Sequence, residues 1–281
     1  MNNNIWYDLK LKFLRPGSPA MAYIGLNVLI FVVVGLAGVV CFLAGQRGLV
    51  DGLVYQYLAF PSSPERWLSR FYTLITYQFF HDGFLHILFN MLWLYWMGQL
   101  LLDFIKPRQF HVIYLGGGIA GAIFFALIFN LIPAFKEFVG IPLVGASACV
   151  MAVMAALATL VPNYEIRLLF IGNVKMKYLL LAYIVLDLIG TADGNAGGSL
   201  AHLGGALFGF VYIKLLQNGY DMGSVFKRRT KLKVVRNENV KQNTSHINQN
   251  EIDAILDKIS KSGYDKLSKE EKETLFKASK N

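Results

Sequence analysis

The chain has 281 residues, a formal net charge of +9 and a mean hydropathy of +0.44. An ordinary water-soluble globule is excluded, because several apolar stretches approach the ~20 residues needed to cross a bilayer. Cys41 and Cys149 both fall inside apolar stretches, which argues against a disulfide framework and says nothing of redox compartment.

Residues 1–19 form a polar head with Lys10, Lys12 and Arg15. The first apolar stretch, 21–44, is too long for the core of a cleavable signal. It also lacks a small-residue cleavage pattern before Gln46, so it reads as a retained span. Residues 45–81 mix Pro61, Pro64, Glu65, Arg66 and Arg70 with Trp67, Phe71 and Tyr72. That composition suits short helices lying at a membrane interface. Further spans are expected at 84–102, 111–132, 145–161, 178–190 and 199–216, the fifth of the six being short. The connector 164–177 is polar and strand-like or irregular. The connector 191–198 is glycine-rich and is expected to be a mobile loop.

An all-α membrane bundle of six spans follows, and the basic residues orient it. With the N-terminus in the cytoplasm, Lys10, Lys12, Arg15, Lys106, Arg108, Arg167, Lys175, Lys177 and the basic tail lie inside. Only Arg47, Arg66, Arg70 and Lys136 lie outside. The expected layout is therefore N-in and C-in. Residues 1–20 are the cytoplasmic head and 21–216 the membrane domain. Residues 217–250 are a basic linker and 251–281 a small cytoplasmic helical tail. Lys227, Arg228, Arg229, Lys231 and Lys233 suit anionic headgroups. In the tail, Ile252, Ile255, Leu256 and Ile259 share one helical face. Ser262-Gly263 breaks that helix, and Ser268-x-x-Glu271 reads as a capping box opening a second one with Leu275 and Phe276.

The chemistry-bearing residues fall in four separate stretches. Ser147 sits in V-G-A-S-A-C-V, at the start of the fourth span. His86 and Asn90 lie near the start of the second span, with His81 just before it. His202 lies near the start of the sixth. In the N-in layout these three spans run in the same direction, so the groups reach a similar depth, on the order of 5–10 Å below the outer end. Polar groups at such depth must pair or meet water, which makes them functional candidates. A serine hydroxyl needs a base within reach to become a nucleophile, and His202 is the candidate. His86 and Asn90, four apart on one helix face, can offer N–H groups to an oxyanion beside the Ser147 backbone N–H. Asp187, in the fifth span, is expected to be solvated or to cap its helix, with gating as the sharper alternative. Asp193 falls in a loop. No acid is therefore assigned to His202, and a Ser147–His202 dyad is the economical reading.

The set His81-x4-His86-x3-Asn90, Gly145-Ala-Ser147 and Ala201-His202-x2-Gly205-x3-Gly209 resembles the rhomboid intramembrane serine proteases. The similarity covers roughly residues 72–216. It implies a six-helix rhomboid bundle of the bacterial type, with Ser147 as nucleophile, His202 as general base, and His86 and Asn90 lining the oxyanion hole. His81 would be a structural histidine, Gly145 would precede the nucleophile, and the Gly205-x3-Gly209 face would pack span six on span four. The chain departs from the pattern at Ala148, where the family usually has glycine, and at Met151, where it often has an aromatic.

The expected activity is hydrolysis of peptide bonds in or near transmembrane segments of other proteins, in a bacterial plasma membrane. The expected partners are those substrates and the lipid bilayer, with no nucleic acid. His81, His86 and His202 have the ligand type for a metal, but no H-E-x-x-H occurs and Asp82 is poorly placed. No metal or other cofactor is expected. The alternative from another class is a catalytically inactive rhomboid-like protein that binds client membrane helices; Ala148 favours it, and the presence of both Ser147 and His202 opposes it. A transporter would need an inverted repeat or charges paired along a pathway, and neither is visible.

Overall fold

The computed structural model of the chain describes residues 17–138, 140–168, 171–192, 196–226 and 249–279. Lys10, Lys12, Arg15, Asp193 and the basic cluster from Lys227 to Lys233 lie outside the described residues. Two compact units are present, Met1–Arg228 and Arg229–Asn281.

In the first unit, helix α1 spans Pro19–Leu43. A short helix α2, Leu49–Leu53, runs into a π-turn at Val54–Leu58. Strand β1, Phe60–Pro61, and the one-turn helix α3, Thr73–Thr76, follow. Then come α4, Phe84–Leu102, and α5, Pro107–Leu131. Strand β2, Pro142–Leu143, precedes α6, Ser147–Leu160. The hairpin β3, Glu165–Leu168, and β4, Gly172–Lys175, leads into α7, Met176–Gly190, and α8, Ala196–Gln217. Four of these helices, α1, α4, α5 and α8, are long and apolar enough to cross a membrane, as befits a multi-pass membrane protein. α6 has only 14 residues, roughly 21 Å at ~1.5 Å per residue, against a hydrocarbon core of about 30 Å.

The close packing of α6 follows from its composition. Its residues Ala148, Ala152, Ala155 and Ala156 are small, and glycines face them from both sides. A Cβ on Gly205 or Gly209 of α8 would lie 2.1 Å from the carbonyl oxygen of Ala148 or Ala152. A Cβ on Gly117 or Gly121 of α5 would lie 2.2 Å from the Ala152 methyl or 2.6 Å from the Ala148 methyl. Side chains at those four positions would force the helices apart. Without them the backbones touch, and dispersion contacts take over the role that the hydrophobic effect plays in water.

α1 is peripheral, and polar contacts hold it to α5. Its buried Asn27 donates to Tyr114 Oη at 3.2 Å, and Tyr23 stacks on Tyr114 with ring centres 3.9 Å apart. Between α1 and α4 the chain is pinned rather than loose. β1 pairs antiparallel with β2, Phe60 opposite Leu143. Trp67 Nε1 donates to the Pro61 carbonyl at 2.9 Å, and Tyr77 Oη to the Gly118 carbonyl at 2.6 Å.

The connector expected as a loop at 191–198 is shorter. Ala196, Gly197 and Gly198 already belong to α8. Gly197 fits there because Phe125 of α5 stands against it, 3.2 Å from where a Cβ would be. The connector at 164–177 forms an antiparallel hairpin with Glu165 opposite Lys175.

The second unit is a helical hairpin of α9, Gln249–Ser262, and α10, Lys269–Ala278. Ser268 Oγ accepts from the Glu271 N–H at 3.2 Å, and the Glu271 carboxylate accepts from the Ser268 N–H at 2.7 Å. Lys258 donates to Glu271 at 2.7 Å across the hairpin, which holds that carboxyl below the usual carboxylate pKa.

Candidate active site

Ser147 is the first residue of α6, with Ala146 as its N-cap. The first N–H groups of a helix have no partner within it, and that end carries positive partial charge. The earliest residue of α6 whose amide bonds back along the helix is Val150, to Ala146. The Ser147 N–H is thus one of the helix's unpaired donors.

The turn before it depends on Gly145, which has φ +127°, a conformation that a side chain makes costly. Its Cα also faces the site closely. A Cβ there would lie 3.0 Å from His86 Nε2 and 3.6 Å from Ser147 Oγ. Gly145 therefore lets the His86 ring and the serine hydroxyl flank one point. The Gly145 N–H is tied to the Tyr77 carbonyl at 3.0 Å.

His81 supports the same turn. Burial, with the neighbouring His86 imidazole adding to it and the Phe79 carbonyl opposing, pushes His81 down to about 3. A neutral ring can accept a hydrogen bond, and Nε2 receives the Ala146 N–H at 3.4 Å. The His81 and His86 rings meet edge to face, 5.1 Å between centres. Asn90 is buried and donates to the His86 carbonyl at 2.8 Å. An amide has a second N–H, which remains for the cavity.

His86, Asn90, Ser147, Met151 and His202 all line one cavity of about 990 Å³. The sequence-predicted groups from α4, α6 and α8 are thus brought together. No hydrogen bond joins Ser147 Oγ to His202 or to any other described residue. Hydrogen bonds of this kind are often long in a substrate-free enzyme and tighten on binding.

Asp187 is a correction to the sequence reading. It is neither solvated nor a cap. The residue is 9% exposed, and its Oδ1 lies 2.8 Å from His202 Nδ1. The physical reason is the rotation of α7, which turns this carboxylate inward while Leu181, Leu186 and Leu188 face outward. The signal that could have found it is the cost of a lone carboxylate in an apolar span, which demands a named partner.

Ala148 also differs from what its place beside the serine suggests. Its methyl packs against Gly121 of α5, and its carbonyl against Gly205 of α8. It is absent from the cavity lining, whereas Met151 faces the cavity one turn after Ser147. Tyr183, one turn before Asp187, lines the cavity and meets the Trp93 ring edge to face at 5.3 Å.

The sequence profile described as "Rhomboid domain" matches residues 68–218, more than half of the chain. A second profile, a family of unknown function (DUF6576), matches residues 239–281. Among curated proteins, the chain is 28% identical over 183 residues to "Presenilin-associated rhomboid-like protein A, mitochondrial" of Danio rerio, covering 64% of this chain and 44% of the relative. It is 27% identical to the Homo sapiens "Presenilin-associated rhomboid-like protein, mitochondrial", covering 60% of this chain and 48% of the relative. It is 31% identical to "RHOMBOID-like protein 12, mitochondrial" of Arabidopsis thaliana, covering 49% and 44%. The chain spans less than half the length of these relatives. The profile match, over the same residues that line the cavity, identifies the chain as a member of the rhomboid family.

Proposed function

We propose that the chain is an intramembrane serine endopeptidase that cleaves transmembrane or membrane-proximal segments of other membrane proteins. The observation that carries this reading is the convergence of Ser147, His202, His86 and Asn90 on one cavity, with the serine at a helix N-terminus. Ser147 Oγ attacks the peptide carbonyl while its proton passes to His202 Nε2. The developing oxyanion is met by the Ser147 N–H, His86 and Asn90. The C–N bond breaks as His202 returns the proton to the leaving amine, and water then releases the acyl group by the same route in reverse.

The six-span, N-in and C-in layout belongs to the same proposal, with α6 and α7 as the two short spans. A helix of roughly 21 Å within a ~30 Å core starts below the membrane surface, and that recesses Ser147 from bulk water. Substrate enters sideways past α7, the least buried of the helices around the cavity. The division into a head at 1–20, a membrane domain at 21–216, a linker at 217–250 and a tail at 251–281 completes the layout. The bacterial plasma membrane is not carried into it, because the relatives that match bear the word mitochondrial in their names.

The reading of a non-cleaving binder loses the residue that favoured it, since the Ala148 methyl turns to Gly121 and leaves the cavity unchanged. The test is cleavage of model transmembrane segments by the full chain in lipid vesicles. Wild type cuts and Ser147→Ala does not. Equal cleavage by both would remove the serine mechanism.

A further inference from the structure

We infer that Asp187 is a positioning residue for His202, so that the site works as a Ser147–His202–Asp187 relay whose acid is supplied by α7. The inference rests on the protease reading and adds to it a third residue and a condition on when the site is competent.

An ionised carboxylate only accepts hydrogen bonds, so the 2.8 Å contact is His202 Nδ1–H donating to Asp187 Oδ1. With Asp187 ionised, this contact selects the tautomer. The proton sits on Nδ1, and Nε2 presents its lone pair, as a base for Ser147 requires. The other carboxylate oxygen, Oδ2, is buried with no hydrogen-bond partner among the described residues. Asp187 is thus committed to His202.

The location is unfavourable for a carboxylate on every other count. Asp187 lies in the last turn of α7, whose C-terminal end carries negative partial charge. It is also buried, where a carboxylate needs a partner. His202 is that partner, and during proton transfer it becomes the imidazolium that the carboxylate stabilises. Asp187 itself takes no proton in the cycle.

α7 buries Met176 and Leu179 at its start, and after them only Asp187. The contact with His202 therefore holds just while the outer end of α7 lies against α8. A helix displaced to admit substrate leaves His202 without its acid, and the relay is complete again when α7 returns. Cleavage is then tied to closure over the bound substrate.

Asp187→Asn, Asp187→Ala and Asp187→Glu in the full chain test this. In Asp187→Asn the amide can donate to Nδ1, which puts the proton on Nε2. We expect kcat to fall at least about 10²-fold and as far as ~10⁴-fold, the loss known for removing such an acid, with KM nearly constant. Asp187→Glu should recover part of kcat, because it keeps a carboxylate. A second readout does not depend on turnover. With only five histidines in the chain, selective nitrogen-15 labelling resolves the His202 ring, and we expect Nδ1 to carry the proton in wild type and lose it in Asp187→Asn. An Asp187→Asn protein with wild-type kcat, or a wild-type His202 protonated on Nε2, would overturn the assignment. A variant that loses thermal stability and substrate affinity together, without rescue by glutamate, would make the pair a mere helix tie and overturn it as well. Wild type that neither cleaves nor takes a serine-directed probe would fell the protease reading itself, and this assignment with it.

Discussion

α6 and α7 are nearly equal in length, with 14 and 15 residues, yet they stand in opposite surroundings. α6 is buried from Ala148 through Ala158. α7 buries Met176, Leu179 and Asp187 and turns Leu181, Val185, Leu186, Leu188 and Ile189 outward. Composition explains the contrast. The alanines of α6 meet glycines on α5 and α8, so two neighbours approach to backbone contact and hold it from both sides. The large aliphatic side chains of α7 prevent such an approach and suit a lipid-facing position. The proposed nucleophile therefore stands on a rigid support, while the acid proposed to position its base stands on the less buried of the two helices. Rigid support favours precise geometry for the reacting group, and weak attachment favours substrate entry.

The contrast can be broken most directly at the α6 interface. Gly209→Val puts a branched side chain where even a Cβ lies 2.1 Å from the Ala152 carbonyl oxygen. Overpacking of this kind costs about 1–3 kcal/mol, occasionally more. Thermal unfolding in detergent should show a clear drop, with cleavage lost alongside. A protein that folds and cleaves as before would mean that the helices are not in backbone contact there.

The next largest effect is expected from fixing α7. A Cβ on Gly190 would lie 2.8 Å from Ser199 Oγ, close enough for Gly190→Cys with Ser199→Cys to form a disulfide. The oxidised protein should cleave transmembrane substrates poorly, while a small serine-directed probe still labels Ser147; reductant should restore cleavage. Unchanged cleavage with the disulfide formed would show that substrate does not enter past α7.

Smaller still is Ala148→Gly, which restores the residue usual in the family. The methyl lies against Gly121, outside the cavity, so the cleavage rate should stay within about twofold. Stability should fall by roughly 1 kcal/mol, the difference in helix propensity. A large gain in rate would place the methyl in the path of the reaction. At the bottom of the scale, Leu186→Ala on the outer face of α7, where the residue is 63% exposed, should move stability by no more than about 0.5 kcal/mol. A loss comparable to that of Gly209→Val would erase the difference between the two helices.

How much of this was legible in the sequence depended on whether the signal was local. The bounds of the helix Phe84–Leu102 are legible because Gly83 before it and Asp103, Lys106 and Pro107 after it mark its ends. The Ser268 capping box was legible for the same reason, since donors and acceptors lie three residues apart. The shared cavity of His86, Asn90, Ser147 and His202 was legible because all four fall within the first two turns of their helices. The Asp187–His202 contact was not legible, because the rotation of α7 about its axis decides which way residue 187 points. A lone carboxylate announces that it needs a partner without saying which. The direction of the Ala148 methyl was hidden in the same way, by the rotation of α6 between α5 and α8. The helical start at Ala196 was masked by two glycines, whose turn tendency yields here to packing against Phe125.

The most direct test of the central claim, that Ser147 is a nucleophile activated by His202, is the site of covalent attachment of a fluorophosphonate probe. Mass spectrometry of the full chain in lipid should find the adduct on Ser147 in wild type and a loss of it in His202→Ala. An adduct elsewhere, or equal labelling of Ser147 without His202, would contradict the claim.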